Sequence, residues 1–197
     1  MQQDYDIAIL EKKVGEIFKM GSFIKTKWCV VTGPPSSGKT SVLSKLRQLG
    51  YYINSDISRQ HIAAEIKKGR SKTEVRQDEN ELQRLLLLKM IANALSLPRN
   101  KRIFHDYALP DNIAFQKLAK IKPTRELLKS AELFRYDKVF VFDPLPMIAD
   151  EVRTEDERSQ EKLHKLIKET YTRLGYNIIQ VPAIAVEQRT ELILKNL

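Results

Sequence analysis

The chain has 197 residues, 42% of them apolar and 30% charged, with a net charge of +9 and a single cysteine. That is enough chain and apolar side chain for one sizeable α/β core, and too little cysteine for a disulfide scaffold. No apolar run approaches the roughly 18 residues a membrane helix needs, the N-terminus opens polar and acidic rather than as a signal peptide, and the three histidines and one cysteine lack metal-ligand spacing. A reducing, cytoplasmic setting without a membrane partner is therefore expected. The basic residues gather at 67–72 and from Arg99 to Arg125. They leave nucleic acid open as a partner without favouring it, because a nucleotide site also calls for positive charge.

Ile7, Leu10, Val14 and Ile17 with Phe18 form an apolar stripe, so residues 2–20 are expected to be a helix closed by Gly21 and Ser22. We take 1–22 as a segment docked on the core or on a partner chain, and 23–197 as the main domain. The heptads are too few for a coiled-coil dimer, and the reading allows a monomer or a homodimer. Trp28-Cys29-Val30-Val31-Thr32 is short, apolar and β-branched, and reads as a buried strand with Cys29 as a small buried hydrophobe. It runs into Gly33-Pro34-Pro35-Ser36-Ser37-Gly38-Lys39-Thr40, which fits G-x-x-x-x-G-K-[ST], the loop that cradles nucleotide phosphates. Val42, Leu43, Leu46 and Leu49 then recur at helical spacing, and Gly50 stops the helix.

Each loop residue has a physical job. Gly33 and Gly38 let the backbone turn tightly and approach phosphate oxygens. Pro34 and Pro35 stiffen the loop but donate nothing, so the contacts fall to Ser36, Ser37, Gly38, Lys39, Thr40 and Ser41. The helix that follows points its positive end at the phosphates. Lys39 is expected to reach the β/γ-phosphates, and the Thr40 hydroxyl to ligate Mg²⁺.

Tyr51-Tyr52-Ile53 is a short second strand, and Asp56 after it either caps the next helix or serves a site at the strand's carboxyl end. That helix is expected to bury Ile57, Ile62, Ala63 and Ile66. Residues 74–97 read as one long helix, apolar nearly all round, packed on the sheet with no site of its own. Arg102-Ile103-Phe104 is the third strand and delivers His105-Asp106-Tyr107. Asp111 is expected to cap the helix of Ile113, Ala114, Leu118 and Ile121. A further helix starts at Pro123-Thr124 and carries its apolar face through Leu133 and Phe134. Lys138-Val139-Phe140-Val141-Phe142 is the clearest buried strand, and it ends at Asp143. Residues 149–161 are densely charged, either a mobile lid or a solvated loop and helix start. A regular helix of Leu163, Leu166, Ile167, Thr170, Tyr171 and Leu174 ends at Gly175. Asn177-Ile178-Ile179-Gln180-Val181 is the last strand, and a final helix carries Val186, Leu192 and Ile193. Five strands alternating with helices argue a three-layer α/β/α fold with a parallel sheet.

These pieces, taken together and in order, resemble the AAA-type P-loop NTPases related to bacterial ribosylnicotinamide kinase, and more broadly the nucleoside and nucleotide kinases. The resemblance runs from about Trp28 to Leu197. It rests on the loop Pro35 to Thr40, Asp56-Ile57-Ser58-Arg59, Asp106-Tyr107-Ala108-Leu109-Pro110-Asp111 and Tyr136-Asp137 before a strand. It continues in Arg153-Thr154-Glu155, Leu174-Gly175-Tyr176, Val181-Pro182 and Glu187-Gln188-Arg189. Tyr107 stands where the family pattern has Arg. The resemblance implies a five-stranded sheet of order 2-3-1-4-5 and ATP, with GTP as the alternative, together with Mg²⁺.

Phosphoryl transfer is mostly positioning and charge neutralisation. The expected catalytic set is Lys39, Asp56 to orient or deprotonate an acceptor hydroxyl, Asp106, and a lid arginine, Arg153 first and Arg158 second. Arg59, Tyr107 and Asp111 are expected to line the acceptor pocket. The metal is expected on Thr40 and Asp106. By local pattern Asp143 competes for that role; the resemblance favours Asp106. Three activities follow: a kinase transferring the γ-phosphate to a small nucleoside-like or metabolite hydroxyl, a nucleotide-binding switch or NTPase, and a nucleic-acid-directed ATPase or kinase. A guanine-reading Asn-Lys-x-Asp is absent, since Asn100-Lys101-Arg102-Ile103 lacks the aspartate.

Overall fold

The computed structural model describes residues 12, 15, 23–145 and 157–197. In chain order the first half comprises β1 (Ile24–Lys25), β2 (Cys29–Thr32), α1 (Lys39–Gln48), β3 (Tyr52–Asn54), α2 (Ile57–Lys67), α3 (Lys72–Val75) and α4 (Glu79–Ser96). The second half comprises β4 (Ile103–Asp106), α5 (Leu109–Leu118), α6 (Arg125–Leu133), β5 (Phe134–Arg135), β6 (Lys138–Phe142), α7 (Glu157–Arg173), β7 (Ile178–Val181) and α8 (Val186–Lys195).

Strand β2 is buried along its whole length, so its backbone groups need neighbours on both sides. It finds them in β4 and β6, and the main sheet is five parallel strands in the order β3-β4-β2-β6-β7. Counting the expected strands in sequence, this is the order 2-3-1-4-5. Alternation sorts the side chains into two cores. Trp28, Val30, Ile103, Val139 and Val141 face α4, α5 and α7 through Ile91, Leu109, Leu163, Ile167 and Tyr171. Cys29, Val31, Phe104, Phe140 and Phe142 face α1 and α8 through Val42, Leu43, Leu46 and Ile193. Burial pushes the Cys29 thiol up to about 11, as an inert core group requires. No helix among the described residues is long and apolar enough to cross a membrane.

Several local expectations change. The long helix over 74–97 is two helices, because Ser71 and Glu74 close a capping box on α3 and Asp78 accepts from the Glu81 N–H to start α4. Helix α2 buries none of its residues, and Ile66 lies 40% exposed. Phe134 leaves α6 to pair with Ile24 in a separate two-stranded parallel sheet of β1 and β5. Of the expected N-terminal helix only Lys12 and Gly15 are described, both helical. Residues 149–156 of the expected lid lie outside the described residues, and the segment re-enters as the first turn of α7.

Candidate active site

The site grows from the carboxyl ends of β2, β3 and β4, where a doubly covered parallel sheet leaves its crevice. Gly33 follows β2 at φ 143°, and a Cβ there would come within 2.6 Å of the Phe142 carbonyl oxygen. Only glycine lets the loop leave the strand this close to β6. Gly38 closes the loop at φ 79°, where a Cβ would meet the Arg189 guanidinium. Ser36, at φ 59°, supplies the remaining left-handed turn. Pro34 is buried, Pro35 is half-buried, and Ser36, Thr40 and Ser41 are exposed at the loop and first turn of α1.

Lys39 is only 7% exposed, and its ammonium donates to the carbonyls of Gly33 (2.9 Å) and Pro34 (2.6 Å) and to Ser37 Oγ (3.0 Å). Burial pulls its pKa down to about 8, while Asp106, Asp111 and Asp56 pull the other way. Asp106 ends β4, and burial raises its carboxyl against the opposing field of Lys39. Asp56 Oδ1 accepts from the N–H groups of Ser58 (2.9 Å) and Arg59 (3.1 Å), so one oxygen caps α2. Both readings of Asp56 are thereby compatible, since its second oxygen is not part of the cap. The charges of Arg59 and Asp56 reach both Lys39 and Asp106. The fold thus gathers Lys39, Asp56, Arg59 and Asp106, residues from separate parts of the sequence, into one electrostatic cluster.

Tyr107 follows Asp106 at φ 64°, a conformation a non-glycine residue holds only where its surroundings over-determine it. Here the phenol donates to the Gly33 carbonyl at 3.0 Å, the ring lies 5.0 Å beneath the Lys39 ammonium, and Phe115 packs edge-on at 5.5 Å. Tyr107 therefore touches the phosphate loop itself.

Asp111 is placed differently from expectation. It is the third residue of α5, caps that helix from its first turn by accepting from the Ala108 N–H, and is 1% exposed. Its carboxylate accepts from the Thr32 hydroxyl, the Ala108 N–H (2.7 Å) and the Tyr171 hydroxyl (2.8 Å). Burial raises it to about 6, with those three donors acting in the opposite sense. It ties β2, α5 and α7 together from behind the loop instead of presenting a carboxylate to a pocket. Asp143 is drawn aside in a similar way: Gln180 Nε2 donates to both its oxygens at 2.8 and 2.9 Å, and His164 stands 3.3 Å away. Thr40 and Asp106 offer the hard oxygen donors that suit Mg²⁺, and phosphate oxygens would complete the set. Among the described residues no cluster of three His, Cys, Asp or Glu side chains forms a cage by itself. Arg158 is exposed on the first turn of α7, and Arg153 lies outside the described residues.

Sequence reasoning gave Arg189 no role. It is 4% exposed on α8, and its Nη1 donates to the Ser37 carbonyl at 3.0 Å, bracing the loop from below. The only signal was the Glu187-Gln188-Arg189 element quoted for the resemblance. Helix α4 was also read as having no site, yet it walls two cavities. One is a small hollow lined by Asn54, Asp56, Met90, Asn93, His105 and Asp106, among others. The other is a chamber of about 650 Å³ lined by Gln83, Leu87, Asn112, Gln116, Thr124 and Leu127, among others. The Asn112 amide donates to the Met90 sulfur at 3.3 Å, so this pair stands between hollow and chamber.

Three solved structures of kinase-like proteins share this fold. The deoxyadenosine kinase of M. mycoides, with dCMP and dCDP bound, is 17% identical, with 86% of this chain and 97% of that one covered at a TM-score of 0.56. Thymidylate kinase from Candida albicans is 16% identical, with 87% and 91% covered at 0.60. NadR in complex with NR is 16% identical at 0.63, with 98% of this chain matching 60% of NadR. At such identities these likenesses establish the fold alone. No curated protein sequence matches the chain. The profile of the AAA domain family does match, over residues 28–189, from the first buried strand to the arginine that braces the loop. With a P-loop on the central strand of this sheet, the chain belongs to the AAA domain family of P-loop proteins.

Proposed function

We propose that the protein is a Mg·ATP-dependent phosphotransferase acting on a hydroxyl of a small, nucleoside-like acceptor. The observation that carries this reading is the convergence of Lys39, Asp56, Arg59 and Asp106 around the P-loop, beside a hollow that the Met90–Asn112 pair separates from a roomy chamber. When bound, Mg·ATP supplies the phosphoryl group and the charge that polarises it. Lys39 turns its ammonium from the carbonyls of Gly33 and Pro34 to the phosphate oxygens, where charge develops. Thr40 and Asp106 would hold the cation. The second oxygen of Asp56 accepts the proton of the acceptor hydroxyl, and Arg59 orients the acceptor. Asp111 acts from behind, by holding the end of β2 against α5 and α7. The chamber encloses the body of the acceptor, and its size suits a nucleoside-like molecule. Arg158, and Arg153 before it, are the arginines we assign to the transferring group. ATP is the nucleotide we favour, with GTP as the alternative.

The test is ADP release from Mg·ATP by the purified protein, alone and with nucleosides, nicotinamide riboside, nucleotides and oligonucleotides. A kinase shows release that rises with one acceptor class. A second reading, a nucleotide-binding switch, is favoured by Tyr107, whose phenol and ring hold the loop and Lys39 in place. Nucleotide binding without stimulated release would select it. Oligonucleotide-stimulated release, or salt-sensitive binding to DNA or RNA, would select the nucleic-acid-directed activity instead.

A further inference from the structure

We infer that the hollow between α4 and the end of β4 reads a second hydroxyl of the acceptor, so that the substrate is a polyhydroxylated sugar compound of the ribonucleoside kind rather than its deoxy counterpart. The inference rests on the phosphotransferase reading above and sharpens it.

The hollow holds about 20 Å³, room for one water-sized group. Two polar atoms on residues that line it have no partner among the described residues: His105 Nε2 and Asn93 Oδ1. His105 is 3% exposed and wedged against Trp28 and Tyr136, with ring centroids 4.9 and 5.6 Å away, so it cannot turn to water elsewhere. Its Nδ1 faces the Asn54 amide nitrogen at 3.1 Å. An amide nitrogen donates, so Nδ1 accepts and Nε2 carries the proton. Asn93 lies one helical turn from Met90, on the α4 face that walls the hollow. The pair therefore offers one N–H donor and one carbonyl acceptor in a space for one small group. A hydroxyl, which accepts and donates at once, satisfies both; a methylene satisfies neither. Asp56 and Asp106 line the same hollow, which puts this reader beside the carboxylate proposed to take the reacting proton.

Sites that bury polar groups to meet a substrate hydroxyl reject the analogue lacking it far more strongly than apolar pockets reject a methylene. The experiment measures kcat/KM for adenosine, guanosine, cytidine and uridine against their 2′-deoxy counterparts, by ADP release, in the wild-type protein and in Asn93→Leu. The expected result is a ribo-over-deoxy preference of at least about a hundredfold in the wild type, falling to within about tenfold in Asn93→Leu because the deoxy compounds lose little. Stimulated release with equal use of both sugars would overturn the inference and leave the kinase reading standing; the hollow would then house a structural water. A strong ribo preference that Asn93→Leu leaves intact would equally overturn the assignment to this hollow. Release that no acceptor stimulates would overturn both readings. The wild-type ratio is decisive even if Asn93→Leu fails to fold.

Discussion

Lys39 sits in a small space that favours its neutral form, and the Lys39 ammonium is held there by two carbonyls and a hydroxyl. In the nucleotide-free protein its pKa is about 8 rather than the ordinary 10.5, so between those values the unfolded chain binds more protons and stability rises with pH. Phosphate reverses the preference, because it stabilises the ammonium. ATP affinity is therefore expected to fall about tenfold per pH unit above 8, measured by calorimetry at constant ionic strength. Lys39→Ala is expected to weaken ATP binding by at least about a hundredfold and to leave the melting temperature at pH 7 unchanged or slightly raised, since the buried ammonium costs the empty fold free energy. Unaltered ATP affinity in that variant would sink the P-loop assignment. Arg189 acts on the same loop from the opposite side. Arg189→Ala removes its bond to the Ser37 carbonyl, and we expect KM for ATP to rise several-fold with kcat less affected, because the cradle loosens while the reacting groups stay in place.

Between elements, Asp111 is the joint that matters most for the site. It joins β2 at Thr32, α5 at Ala108 and α7 at Tyr171, and Thr32 is the residue immediately before the loop. Asp111→Ala leaves three buried donors without an acceptor and is expected to cost about 3 kcal/mol in urea unfolding. Its carboxyl is raised from 3.8 to about 6, so between those values the folded state binds more protons than the unfolded chain. This contribution to stability is full below pH 4 and declines as pH rises through 6. Asp111→Asn is expected to remove that part of the pH dependence, which chemical denaturation across pH 4–7 would reveal. Asp111 was singled out as a helix cap and, through the family resemblance, as a pocket residue, but its role as a joint between elements was not legible. A side chain on α5 and a tyrosine sixty residues later become neighbours only when α7 packs beside it.

At the scale of the whole molecule, the two covered faces of the sheet make the P-loop part of a rigid body, and ligand binding there should stabilise all of it. Mg·ATP at about a hundredfold over its dissociation constant adds about 2.7 kcal/mol. For a domain of this size that raises the melting temperature by about 5–10 °C, readable by calorimetry. The net charge of +9 makes a control necessary. A single-stranded oligonucleotide at the same concentration in 150 mM salt is expected to give no comparable rise, and a rise that vanishes with added salt would point to nucleic acid instead.

The sequence by itself determined the five strands, the phosphate loop after the first of them and the carboxylates at the strand ends, because these are local; the strand order was implied by the family resemblance. Periodicity, β-branched runs and glycines at forced turns act over a few residues and need no distant partner. The break between α3 and α4 was also local, but the apolar run of Leu85 to Leu88 outweighed its caps at Ser71 and Asp78. Tertiary structure alone decided which charges meet. It turned Asp111 inward, drew Asp143 to Gln180, set Arg189 under Ser37 and left His105 and Asn93 facing a hollow. Each of these depends on packing between segments separated by tens of residues, where the free energy of burial selects partners that no local pattern encodes.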